Sequence, residues 1–199
     1  MALSCDIKNY PFLTGDEFAE ACHHLERRYC QATLGPVRKR WKLRSCRALN
    51  TTTLTLGTEY NTEMVDAEEA DQSVVSRTRT KPGFGYVAYE IHLHPTYQGP
   101  VVWFSLHNLP ADEPAFNIDT VFRRLVPDQY KDGLRTAGGI GGISADYHPV
   151  TGVPCFFVHP CLLGEAMMSF ECTKETYLMV WLGLVGGAVG LWVPKEMAL

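Results

Sequence analysis

The stretch GYVAYEIHLHPTYQGPVVWFSLH, residues 85–107, limits what this chain can fold into more than any other. Val87, Tyr89, Ile91 and Leu93 alternate with Ala88, Glu90, His92 and His94, the period of two that separates the faces of a β-strand. A turn follows from Pro95 to Pro100, and VVWFSL then pairs back as a second strand. His92 and His94 share one face and are expected to look into solvent, since no third ligand accompanies them to hold a metal.

Other elements are read the same way. In TGDEFAEACHHLERRYCQ, Thr14 and Glu17 form a capping-box pattern, each side chain placed to satisfy an orphan backbone N–H. Phe18, Cys22, Leu25 and Tyr29 then recur at helical spacing and predict one buried face. After the break at Gly35 and Pro36, VRKRWKLRSCR reads as a strand with Trp41 and Leu43 on one side and Lys42 and Arg44 on the solvated other. LNTTTLTLGTEY continues as a β segment, and Asn117 or Asp119 caps a short helix carrying Val121, Phe122 and Leu125. Mobile loops are expected near 61–83, where the composition turns polar, and near 133–143, around TAGGIGGIS. The latter lacks the Lys-Ser/Thr ending of a phosphate loop.

With 199 residues, the chain is expected to form a single domain spanning 1–199. A net charge of −4 argues against a general nucleic-acid binder, which needs excess Lys and Arg to displace phosphate counterions. MALSCDIKNYPF lacks the basic start and long apolar run of a signal peptide, so a cytoplasmic, reducing setting is expected for the seven cysteines. YLMVWLGLVGGAVGLWVP is apolar enough to suggest a membrane span, but its four glycines make it a poor isolated helix. It is read as a buried core helix and following turn, with no stable membrane insertion.

Chemistry concentrates in VPCFFVHPCLLGE, residues 153–165. Cys155, His159 and Cys161 are zinc-ligand types, but they lack a paired CxxC or a fourth ligand, and a Cys155–Cys161 disulfide is disfavoured in a reducing setting. No metal or cofactor is implied. A nucleophile uses the pattern better. Cys155, Phe157 and His159 alternate against Phe156 and Val158 along a strand, and Pro160 ends regular pairing and delivers Cys161 to an exposed end. His159 sits close enough to influence a thiolate there, although on local chemistry alone a lone cysteine of this kind is more often structural than catalytic.

HPVTGVPCFFVHPC, together with AYEIHLHPTYQGPVVWFSL upstream and YLMVWLGLVGGAVGLWVP downstream, resembles the autophagy-related protein ten family of ubiquitin-like conjugating enzymes, in order and spacing over roughly 86–194. The resemblance implies an α+β, ubiquitin-conjugating-enzyme-like fold: an antiparallel sheet backed by helices, with the catalytic cysteine on an exposed loop. It also implies that Cys161 accepts the C-terminal glycine of a modifier, autophagy-related protein twelve, from an activating enzyme, autophagy-related protein seven. Transfer to a lysine of an acceptor, autophagy-related protein five, would follow. His159 and Pro160 match the motif beside Cys161 and are expected to shape the loop and tune the thiol, with general-base action by His159 as the lesser alternative. His148 is expected to be a turn residue or to support the site from behind.

Ordinary ubiquitin-conjugating enzymes carry His-Pro-Asn upstream, whose Asn stabilises the oxyanion. Here His148-Pro149 is followed by Val150, so another donor is required, and Asn108 is one candidate. Rival readings are the sister enzyme, autophagy-related protein three, which transfers a modifier to phosphatidylethanolamine, a noncatalytic binding module, and a cysteine hydrolase using Cys161 with His148 or His159. The sister enzyme typically carries a long acidic insert and an extra helical handle, for which 199 residues leave little room.

Overall fold

The computed structural model describes residues 6–48, 51–60, 85–135 and 142–198. The loop expected at 61–83 lies outside the described residues. So does 136–141 of the loop expected at 133–143, whose flanks are regular structure: the helix Asp128–Arg135 before it and the strand Ile143–Tyr147 after it.

Helix α1, Gly15–Gln31, starts where the capping pattern places it. Glu17 N–H donates to Thr14 Oγ1 at 3.3 Å, and Thr14 N–H donates back to the Glu17 carboxylate at 2.9 Å. Burial works against charge on Glu17, but the N–H groups of Lys8 and Thr14 outweigh it and hold the carboxyl below its ordinary pKa. Phe18, Ala21, Cys22, Leu25 and Tyr29 form the buried face.

VRKR is not the start of a strand: Val37–Arg40 is a helical turn, α2, entered from Pro36, whose φ of −62° suits it, and closed by Trp41 N–H on Val37 O. Strand β1, Trp41–Ala48, then buries Trp41 and Leu43 and exposes Lys42 and Arg44. β2 (Thr51–Tyr60), β3 (Gly85–Leu93) and β4 (Pro100–His107) follow as an antiparallel meander. Next come α3 (Ile118–Arg124), capped by Asn117, and α4 (Asp128–Arg135). β5 (Ile143–Tyr147) and β6 (Pro154–Val158) form a second hairpin. Among the described residues the six strands run β1-β2-β3-β4-β6-β5, every neighbouring pair antiparallel. β6 is therefore internal.

Alternation assigns the faces. Val87, Tyr89, Ile91, Val102, Phe104, Leu106, Phe156 and Val158 join Phe18, Leu25, Leu178 and Trp181 in the main core. Val101, Trp103, Cys155 and Phe157 pack together as a smaller cluster on the opposite side.

After β6 come α5 (Leu163–Met168) and α6 (Tyr177–Val185), with short 3-10 turns at Gly186–Val189 and Lys195–Met197. α6 is apolar because it is core: Tyr177, Leu178, Trp181, Leu182 and Val185 are buried. Among the described residues no helix is long and apolar enough to cross a membrane. The glycines behind α6 permit close approach. A Cβ on Gly186 would lie 2.2 Å from Leu191 O, and Gly190 holds a φ of +71°.

Candidate functional site

Three His-Pro pairs share one local device. Neutral imidazole can accept at Nδ1, and in each pair Nδ1 takes backbone N–H groups two or three residues ahead, as an Asn or Asp oxygen does in a turn. His94 accepts from Thr96 and Tyr97 at 3.2 and 3.3 Å; His148 accepts from Val150 and Thr151 at 3.4 and 3.2 Å. His159 accepts from Cys161 itself, at 3.2 Å.

The last of these sets the geometry at Cys161. Phe157 faces the small cluster and Phe156 and Val158 face the main core. His159 N–H then bonds Gly142 O at 3.0 Å, and the chain turns at Pro160. Cys161 is exposed in that turn, two residues before α5. Cys155 is the opposite case. It is 8% exposed, its thiol donates to Phe104 O at 3.0 Å, and burial pushes its pKa up to about 11. Both are free cysteines, so no disulfide joins them.

Cys161 borders a groove of about 370 Å³ whose walls come from three distant segments. Pro11 and Phe12 line one side, Tyr97 and Pro100 another, and Gly164 and Met168 of α5 the third. Tyr97 is a residue that sequence reading missed as part of the site. Its ring packs edge-on against His159, centroids 5.7 Å apart, and against His94 at 4.9 Å. The signal was its place in a His-Pro turn, but adjacency to Cys161 depends on β4 pairing with β6.

Two other expected partners are not beside Cys161. Pro100 lines the groove at the start of β4, whereas Asn108 lies beyond the far end of that strand. Eight residues of extended chain separate them by roughly 27 Å. Asn108 is therefore no oxyanion donor for Cys161. His148 closes the β5–β6 hairpin at the end away from Cys161: its N–H bonds Val153 O and its C=O accepts from Gly152 N–H, both at 2.9 Å. It is the turn residue expected.

His92, expected in solvent, is 5% exposed, because the hairpin loop beginning at His148 folds over that face. The His92 and His148 rings lie 5.1 Å apart, with Trp103 against His148 at 5.5 Å. Glu90 Oε2 stands 3.2 Å from His92 Nε2 and 3.4 Å from His148 Nε2. The bond from His92 is the main cause holding the Glu90 carboxyl below its ordinary pKa, and burial depresses that of His148. These three residues group as metal ligands would. The tautomer argues otherwise: with Nδ1 of His148 accepting backbone N–H groups, the neutral ring keeps its proton on Nε2, leaving no lone pair there for a metal.

A family model described as "Autophagocytosis associated protein, active-site domain" matches residues 17–196. The chain is 54% identical to the ubiquitin-like-conjugating enzyme ATG10 of Gibberella zeae over 233 aligned positions, covering 97% of this chain and 99% of the relative. It is 32% identical to the ubiquitin-like-conjugating enzyme ATG10 of Homo sapiens over 120 positions, 56% of this chain and 53% of that protein. With the model match running from α1 to the C-terminal turns and the Gibberella relative matched along nearly its whole length, the chain belongs to the ATG10 family.

Proposed function

We propose that this protein is an autophagy ubiquitin-like conjugating enzyme of ubiquitin-conjugating-like fold, in one catalytic domain, with Cys161 as acyl carrier. The observation that carries the reading is the exposed Cys161, held by His159 in the His-Pro-Cys turn of an ATG10-family chain. The thiolate of Cys161 attacks the thioester joining the modifier's C-terminal glycine to an activating enzyme. A new thioester forms as the activating enzyme's thiolate leaves. A lysine amine of the acceptor protein then attacks the same carbonyl; the nitrogen loses a proton, an isopeptide bond forms, and Cys161 departs as thiolate. From the family resemblance, the modifier, activating enzyme and acceptor are autophagy-related proteins twelve, seven and five.

His159 positions and does not act as base. Its Nδ1 lone pair is engaged by Cys161 N–H, so accepting a proton there would break the bond that holds the turn. A nonreducing gel of a charging reaction containing modifier, activating enzyme and ATP tests the assignment. The expected thiol-sensitive shift disappears in Cys161→Ala and survives in Cys155→Ala. A shift that persists without Cys161 overturns it.

A further inference from the structure

We propose that Tyr10 is a positioning residue for the acyl-transfer reaction: through the segment 10–13 it seats α5 against the β3–β4 turn and so fixes the turn that presents Cys161. The inference rests on the reading of Cys161 as acyl carrier.

α5 cannot hold its place by itself. It has six residues, Leu163–Met168, and isolated helices shorter than about 12 residues are marginal in water. Gly164 lowers its helical preference further. Leu162, at its start, makes no side-chain cap bond, and its last turn carries no basic side chain to meet the carbonyls there. Leu163 and Met167 are its buried residues. Cys161 lies two positions ahead of it, in a turn joined to it by Leu163 N–H on Pro160 O at 3.1 Å. A shift of α5 is therefore a shift of the thiol.

Tyr10 supplies an anchor at the other end. The last carbonyls of a helix lack partners within it. Tyr10 O–H is shared between Met167 O and Phe170 O, the latter at 2.7 Å, a cap delivered to Met167 from 157 positions away. Two residues on, Phe12 lies against α5, where a Cβ on Gly164 would stand 3.4 Å from Phe12 Cε1. The same segment fastens the other side of Cys161. Leu13 N–H donates to Gln98 O at 2.8 Å, and Gln98 N–H donates to His94 O at 2.9 Å. Gln98 holds a φ of +48°, a conformation that a non-glycine residue keeps only when its surroundings impose it. It directly follows Tyr97, whose ring rests on His159. Between these two ends Tyr177 O–H donates to Pro11 O at 2.7 Å and ties the middle of the segment to α6. Residues 10–13 thus span the two walls that flank Cys161 and set their separation.

Tyr10→Phe tests this, because it removes the hydroxyl and keeps the ring, which meets Tyr177 edge-on at 6.3 Å. Tyr89→Phe is the matched control. It too loses a hydroxyl bond to a backbone carbonyl, that of Val189 at 2.7 Å, but in the core at the 3-10 turn behind α6. Both variants are assayed where urea curves show them fully folded, and the rate of charging by activating enzyme, modifier and ATP is followed against the concentration of this protein. At saturation Tyr10→Phe is expected to charge about tenfold more slowly than wild type, as a misplaced reacting group does, with KM changed by less than about twofold. Tyr89→Phe is expected to match wild type in both. NMR reads the turn itself: the Cys161 amide proton, bonded to His159 Nδ1, should move upfield in Tyr10→Phe and keep its place in Tyr89→Phe.

Equal losses in the two variants mark a general effect of stability and overturn the assignment of Tyr10. So does a Tyr10→Phe protein that charges like wild type or keeps the wild-type Cys161 amide shift. A wild-type protein that cannot be charged overturns the acyl-carrier reading instead, and the amide shift then still decides whether Tyr10 holds the turn.

Discussion

The backbone N–H of Cys161 donates to Nδ1 of His159 at 3.2 Å. The bond makes the imidazole an acceptor for the cysteine's own main chain, and it gives His159 a replaceable role. An asparagine side-chain oxygen can take the same turn-closing N–H. His159→Asn is therefore expected to charge at near wild-type rate, whereas His159→Ala should lose about tenfold, the size of one backbone hydrogen bond. Single-turnover charging compares them. Loss of activity in both variants would restore the ring as a chemical participant.

The cysteines should separate by reactivity in the native fold. Iodoacetamide at pH 8 is expected to modify Cys161 and the exposed Cys30 while sparing Cys155, Cys22 and Cys172, which are buried. With its pKa near 11, Cys155 is about one part in a thousand thiolate at that pH, even where reagent reaches it. Peptide mapping after a timed quench reads the order, and rapid labelling of Cys155 would contradict the burial described.

Gly186→Ala is expected to destabilise the fold by about 3 kcal/mol, the upper range for inserting a methyl group into packed structure. The added Cβ meets the Leu191 carbonyl oxygen, which is backbone and cannot rotate away. A urea midpoint lowered at unchanged slope is the expected signature.

Acid should weaken the second face of the sheet. Burial depresses the His148 pKa, so the unfolded chain binds more protons once pH falls below about 6.5, and stability declines from there. Glu90, whose folded pKa is lowered by His92, adds a second decline as pH falls below about 4.3. His94 and His107, also lowered by burial, contribute to the first window. Urea midpoints between pH 7.5 and 5 should therefore fall, and His148→Gln should flatten the slope without abolishing it.

What the sequence revealed follows the range of the forces involved. The Thr14–Glu17 box, the Phe18 to Tyr29 stripe and the alternation from Val87 to Leu93 are local, and the structure places each as its spacing implies. α4 is polar over most of DQYKDGLR, flanked by a glycine-rich stretch, and no buried stripe betrayed it. His92 looked solvent-facing because its cover arrives from His148, 56 positions further on. Cys161 and His159 were legible from the Pro160 break. Tyr97, 64 residues earlier than Cys161, was not, and Asn108 misled because its distance is set by strand direction, which composition does not report.

The placement of β6 between β4 and β5 has a consequence for how the molecule assembles. From β3 to β4 the chain closes by a short turn, whereas β6 meets β4 across about fifty residues, as the 51-position separation of Cys155 from its acceptor Phe104 shows. Contacts of that span cost more loop-closure entropy than the short β3–β4 turn and form later. During synthesis the β3–β4 hairpin emerges and pairs long before the strand bearing the His-Pro-Cys turn exists. The turn that carries Cys161 is therefore expected to take its place after that hairpin, when β6 finds β4.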